Sequence, residues 1–169
     1  MSKKLSVITI SITPFDAAGQ LDEAAFRQHI RRLRDGGVSV FVGGSGSGEG
    51  YTLTPEENDR ILAIAVEELK GNEGNIAPSL AASVITAFQA KDLERLRDSF
   101  GKLMGLAEIV KRYGGATLRG LKPLLNAFGL PGGTLREPWL PIDAADLDTM
   151  IKAVLALQIP ELPPLPKRA

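Results

Sequence analysis

Only two stretches of this chain read as buried parallel strands, and both lie in its first 42 residues. Ser6 to Ile12 runs Ser-Val-Ile-Thr-Ile-Ser-Ile, β-branched and largely apolar, as a strand covered on both faces should be. Pro14 ends it, because proline supplies no N–H to a ladder. Val38 to Val42 is the second strand. Between them Asp22 is placed to cap a helix whose Phe26, Ile30 and Leu33 recur at i, i+4 and i+7, and Asp35-Gly36-Gly37 stops it. Strand, helix, strand makes a βαβ unit with a right-handed crossover. Two parallel strands cannot close a barrel and leave two unpaired edges and an apolar face without cover. Three arrangements answer this: later helices wrap the strands into a small α/β sandwich, several chains pair their edges, or the sequence is the two ends of a longer protein.

The rest of the chain is helical in pattern. Gly43 to Gly50 is a glycine-serine loop carrying Glu49. Thr54-Pro55-Glu56-Glu57 starts a helix, with Thr54 as N-cap, Pro55 at the first helical position and Glu57 closing a capping box. Ile61, Leu62, Ala65 and Leu69 form its expected buried face. After Gly74 no further strand is expected. Helices are predicted over 78–90, 93–112 with Leu93, Leu96, Phe100, Leu103, Ala107 and Val110 on one stripe, and 118–128, disturbed by Pro123. A Gly/Pro loop covers 129–141. Asp143 then caps a last helix that turns Leu147, Met150, Val154 and Leu157 inward, and the proline-rich tail from Ile159 to Pro166 is read as extended on the surface. The organisation expected is an N-terminal β/α part over 1–74 and a C-terminal helical part over 75–169.

Composition removes several classes of function. Lys plus Arg and Asp plus Glu number 20 each, so the chain lacks the basic excess of a nucleic-acid or membrane-surface protein. It has no cysteine, hence no disulfide framework and no thiolate ligand or nucleophile, and its one histidine, His29, cannot build a His-rich metal site. No run approaches the ~18 apolar residues of a membrane-spanning helix, and Met1 to Leu5 leads into a strand without a small-residue cleavage site. The expectation is a cytoplasmic protein without metal, nucleic acid or membrane partner.

The strongest candidate site is Gly43-Gly44-Ser45-Gly46-Ser47-Gly48-Glu49, which follows a strand and precedes a helix, the place where α/β folds hold ligands. Its glycines allow backbone N–H groups to approach an anion, and its serines add hydroxyl donors. It lacks the Lys-Ser/Thr of a phosphate loop and the third glycine of a dinucleotide fingerprint. The bland reading is a flexible turn whose glycines only satisfy positive φ. Glu49 reads as a candidate general base. His29, among Arg27, Arg31, Arg32 and Arg34, reads as part of a solvated helix face before an anion-binding cluster. Trp139 reads as a packing anchor for the last helix.

Ile12-Thr13-Pro14-Phe15 together with Ser45-Gly46-Ser47-Gly48-Glu49-Gly50-Tyr51-Thr52-Leu53-Thr54-Pro55-Glu56-Glu57 resembles the dihydrodipicolinate synthase and N-acetylneuraminate lyase family, whose loop reads Gly-Thr-Thr-Gly-Glu with a Leu-Ser/Thr-x-x-Glu after it. Gly74 to Pro78, Ala90 to Glu94, and Arg136-Glu137-Pro138 with Pro141 are similar to late segments of that family, the last to its Arg-x-Pro linker. The resemblance covers nearly all of the chain in two blocks joined near Gly71 to Gly74. It implies an α/β fold, a partial TIM (β/α)8-type barrel of two N-terminal β/α units followed by C-terminal helices.

The activity implied is that of a class I aldolase, lyase or dehydratase acting on pyruvate or another small 2-oxo acid, without cofactor, in a homo-oligomer. A lysine on the sixth barrel strand forms a Schiff base in this family, and a tyrosine relays protons. The carboxylate-binding hydroxyl falls on Ser47 with Gly48 supplying backbone, the neighbouring threonine of the relay falls on Gly46, and Ser45 stands one position away. No lysine lies on a strand pattern: Lys3 and Lys4 are terminal, Lys167 is in the tail, and Lys70, Lys91, Lys102, Lys111, Lys122 and Lys152 fall on helices or helix ends, on faces read as polar. Neither Tyr51 nor Tyr113 matches the relay tyrosine, and the resemblance makes Glu49 a structural carboxylate buried under the loop, the reading favoured over a general base. The chain is therefore expected to carry the carboxylate clamp, Ser45 to Gly48, without the catalytic lysine, its catalytic residues being unknown. The rival expectation is a non-catalytic, helix-rich oligomeric module with weak anion binding.

Overall fold

The computed structural model describes residues 8–69, 75–76, 79–114, 117–160 and 162–166. The start of the predicted first strand at Ser6, the joint at 71–74, and Lys3, Lys4, Lys70 and Lys167 lie outside them. Strand β1 is Ile8–Ile10 and β2 is Gly37–Phe41, paired in parallel with Ile8 opposite Ser39 and Ile10 opposite Phe41. Helix α1, Glu23–Asp35, connects them. Asp22 accepts the Ala25 N–H at 2.9 Å, and Phe26, Ile30 and Leu33 are buried as their spacing requires.

Helix α2, Pro55–Leu69, opens with the predicted capping box, in which Glu57 N–H donates to Thr54 Oγ1 at 3.1 Å and Thr54 N–H donates to Glu57 Oε2 at 3.0 Å. Its buried face is Ile61, Ile64 and Ala65; Leu62, expected inside, lies on the exposed side, because α2 meets α1 and β2 through the row one turn-step away. Glu68 ties α2 to α1, taking two hydrogen bonds from Arg31 at 2.7 and 2.8 Å and one from Arg27 at 2.9 Å. Those guanidinium donors hold its carboxyl down at about 2.

A third strand, β3 at Asn75–Ile76, corrects the expectation that none follows residue 74. It pairs antiparallel with β2, so the sheet has the order β1-β2-β3 and is mixed. Two residues are too few for a periodicity signal, and the pairing comes from the free edge that β2 offers. One face of the sheet is covered by α1 and α2 through Val38, Val40 and Val42. On the other, Ile8, Ile10 and Phe41 are exposed, in contrast to the two-sided cover that a parallel sheet usually has.

Four further helices follow among the described residues: α3 at Ser79–Ala90, α4 at Leu93–Gly114, α5 at Thr117–Ala127 with Pro123 inside it, and α6 at Ala144–Ala156. Asp143 caps α6 through the Asp146 N–H at 2.7 Å. A second core joins Val110 of α4, Leu124 of α5, Phe128, and Met150 and Val154 of α6. The predicted α4 stripe is inward only at its C-terminal end: Val110 is buried, whereas Leu93 and Phe100 are exposed and border a surface groove with Phe88 of α3. The tail is partly inward as well, since Ile159 is buried and Leu162 packs on the second core, while 164–166 are exposed.

Candidate functional site: a glycine-serine loop braced by a buried lysine

The loop from Gly43 lies between the end of β2 and a short 3-10 turn at Gly50–Thr52, the position that strand-loop-helix order predicts. It folds back tightly on itself. Gly50 N–H donates to Gly44 O at 3.1 Å and Glu49 N–H to Gly46 O at 3.0 Å. A Cβ on Gly48 would stand 2.7 Å from the backbone of Gly44, and one on Gly50 2.1 Å from Gly43 O, so both positions require glycine. Gly46 differs: a Cβ there meets nothing within 4 Å.

Ser45, Gly46 and Ser47 line one wall of a shallow cleft of about 160 Å³, closed on the other side by Tyr51, Thr117, Leu118 and Trp139. The Trp139 indole N–H donates to the Tyr51 hydroxyl, so the tryptophan anchors the cleft's rim, where the sequence had suggested a prop for the last helix. Gly48 lies beneath the cleft, buried, its carbonyl accepting the Thr13 hydroxyl at 2.7 Å. Of the four loop residues singled out from sequence, three therefore share the cleft and the fourth supports it.

Under the loop sits the group that sequence reasoning missed. Lys122 of α5, expected on a polar helix face, is fully buried. Its ammonium pairs with Glu49 Oε1 and donates at 2.7 Å to each of two backbone carbonyls, Thr13 O and Thr134 O. Of the ammonium's three protons, two go to these carbonyls, and the remaining side of the group faces the Glu49 carboxylate as an ion pair. Burial pushes Lys122 below the usual lysine range, and the neighbouring Glu49 carboxylate works the other way. Glu49, itself fully buried, is the structural carboxylate that the sequence favoured. The signal for Lys122 was present but weak: it stands four residues after Leu118 and three before Leu125, on the apolar row of α5.

The lysine's carbonyl partners are held in place by the turn after α5. Gly132 N–H donates to Asn126 Oδ1 at 3.0 Å and Asn126 Nδ2 to Gly133 O at 2.8 Å. A Cβ on Gly133, at φ +67°, would lie 2.7 Å from Phe15 N, so only glycine lets this turn approach the end of β1. Thr134 then donates its N–H to Phe15 O at 2.8 Å. Next along the chain, Arg136 donates to both oxygens of Glu57 at 2.9 and 2.5 Å, to Thr52 O at 2.8 Å and to Gly19 O at 2.8 Å. Its guanidinium carbon lies 3.9 Å from the centroid of the Phe15 ring, and Lys122 Nζ lies 4.7 Å from the same centroid. The bidentate pair lowers the Glu57 carboxyl and raises Arg136.

His29 is a second correction. The solvated face predicted for it is wrong: the ring is 5% exposed, and burial, with Arg32 nearby, holds its pKa down at about 3. Arg27, Arg31 and Arg34 do occupy the outer side, with acid partners. Among the described residues no three His, Cys, Asp or Glu side chains gather as a metal site, and no helix is long and apolar enough to cross a membrane.

Residues 3–73 match the model of the dihydrodipicolinate synthetase family. This match takes in less than half of the chain. The likeness extends beyond it. A 4-hydroxy-tetrahydrodipicolinate synthase of Campylobacter jejuni subsp. jejuni is 29% identical over 152 residues, 88% of this chain and 50% of that protein. A probable 5-dehydro-4-deoxyglucarate dehydratase of Methylobacterium radiotolerans is 35% identical over 88 residues, 52% of this chain and 29% of its own length. The chain thus spans half or less of these curated relatives. In fold it is similar to Proteus mirabilis N-acetylneuraminate lyase, with a TM-score of 0.74 at 14% identity over 92% of this chain and 99% of that one. A Bacillus anthracis dihydrodipicolinate synthase gives a TM-score of 0.68 at 14% identity, over 90% and 98%. The bracing of the loop by Lys122, Glu49 and Arg136 therefore lies in a fold similar to that of these two proteins.

Proposed function

We propose that this chain is a partial (β/α)8 barrel of the Schiff-base 2-oxo-acid lyase family, two N-terminal β/α units joined to closing helices, that keeps a carboxylate-binding loop and performs no covalent turnover by itself. The observation that carries this reading is the saturation of Lys122. Among the described lysines it alone is buried, and a Schiff base needs a neutral amine with a free lone pair. With two protons donated to Thr13 and Thr134 and its charge paired with Glu49, Lys122 braces the loop from below and, as an ammonium, has no lone pair to offer the cleft. Ser45, Gly46, Ser47 and Gly48 supply at most the clamp for the carboxylate of a small 2-oxo acid such as pyruvate, and binding without a nucleophile does not lower the barrier of a covalent step.

A second reading has one observation in its favour, since the same burial that locks Lys122 also lowers its pKa, as an imine-forming lysine requires. Incubation with pyruvate and borohydride followed by intact mass separates the two. No added mass is expected from the native chain; an adduct that disappears in K122M would establish the second reading and end the first.

The chain is also expected to self-associate, in keeping with the homo-oligomer implied by its family. Ile8, Ile10 and Phe41 on the bare sheet face and Phe88, Leu93 and Phe100 along the α3/α4 groove leave two apolar surfaces uncovered. Sedimentation at micromolar concentration should show species larger than 18.0 kDa, and a compact monomer at that mass would refute it.

A further inference from the structure

A cavity of about 190 Å³ lies between β1, α1, α4 and α5, and none of its lining residues belongs to the loop cleft. Most of the lining is aliphatic or aromatic, including Ile12, Leu121, Leu124 and Phe128. Its polar lining is Thr9 of β1 with His29 and Arg32 of α1. The imidazole is 95% removed from solvent, and its Nδ1 makes no hydrogen bond among the described residues. Buried ring nitrogens are ordinarily satisfied, so an orphan one facing a cavity marks a place where a partner is missing. Arg32 is half-buried, and no described acid forms an ion pair with it, whereas Arg27, Arg31 and Arg34 on the same helix each have one.

We propose that this cavity binds a small monocarboxylate with an aromatic or short aliphatic body, the apolar body filling the cavity and the carboxylate meeting Arg32 and His29. Size supports the body: a dry apolar cavity of about 150 Å³ holds benzene. Charge supports the head. A guanidinium deprived of water gains most from a planar carboxylate that takes two of its N–H groups. The imidazole, neutral in the free chain, presents an N–H to the second oxygen without adding charge, and one carboxylate balances one arginine. Burial lowers Arg32 from the usual guanidinium range, a cost that a bound anion relieves.

Because His29 is the only histidine, its ring signals in an NMR spectrum are unambiguous. The full chain, labelled at histidine, is titrated with phenylacetate, with its neutral isostere phenylacetamide, and with pyruvate. Phenylacetate should shift the His29 signals saturably, bind at least about tenfold more tightly than phenylacetamide, and raise the imidazole pKa from about 3. Pyruvate, which lacks an apolar body, should neither shift His29 nor compete. R32Q should remove the preference for the acid over the amide, and L121F, which fills the cavity, should abolish binding of both. The proposal is overturned if phenylacetate leaves His29 unmoved, if amide and acid bind alike, if pyruvate competes, or if folded R32Q retains the preference. This outcome is independent of the loop cleft, whose test reads a covalent adduct.

Discussion

Replacing Lys122 by methionine should cost about 3–5 kcal/mol of folding stability, measured by urea denaturation, a large part of what a domain of this size has. The methionine fills the same volume, so the loss reports the charge and its hydrogen bonds more than a cavity. What remains is the Glu49 carboxylate, fully buried, together with the carbonyls of Thr13 and Thr134, which lose their donor. Removing the second charge should therefore help: K122M with E49Q should recover about 1–3 kcal/mol of the loss. E49Q alone should cost less than K122M, because the amide oxygen still accepts from the ammonium. If K122M lies within about 1 kcal/mol of the native chain, the pair is not the buried brace described here.

Arg136 should be the second most sensitive position. R136A is expected to cost about 2–4 kcal/mol, because it removes two charge-assisted bonds to Glu57, the bonds to Thr52 O and Gly19 O, and the stacking on Phe15. Lysine should not rescue it. A single ammonium cannot reach both Glu57 oxygens and two carbonyls while lying flat on a ring. The partner variant is E57Q rather than E57A, since Glu57 also closes the capping box of α2 and an alanine would lose both roles. A double-mutant cycle between R136A and E57Q should give a coupling of about 1–3 kcal/mol. R136K as stable as the native chain would show that the planar clamp contributes nothing.

These two side chains explain how the halves of the chain hold together. Thr13 lies 109 residues from Lys122, and Glu57 lies 79 residues from Arg136. Both contacts tie the C-terminal helices and the turn after α5 to the end of β1 and the loop. The cleft of Ser45, Gly46 and Ser47 is thus shaped by residues from the far end of the sequence.

Much of the local structure was legible beforehand. The caps at Asp22, Thr54 and Asp143 form as read, because an unsatisfied N–H in a first helical turn is met by a side chain within three residues. The α1 stripe follows from its period of 3.6, and the two parallel strands from their short β-branched, apolar runs. The loop's place after β2 follows from order alone, and the buried Glu49 beneath it was implied by the family resemblance.

Where neighbours are supplied from afar, sequence was a poorer guide. Lysine is almost never fully buried unless paired, so a polar face was the sound expectation for Lys122 until Glu49, Thr13 and Thr134 converged on it. His29 went inward because α4 and α5 cover that side of α1, and Leu93 and Phe100 stayed outside because nothing described covers theirs. Asn75–Ile76 became a strand only because β2 had a free edge. Sequence by itself determined the helices, their caps and the loop between β2 and α2, since those depend on groups within a turn or two of one another. Tertiary structure decided which faces were buried and which cations sit inside, since the stability of a buried charge depends on acceptors that only the folded chain brings within 3 Å.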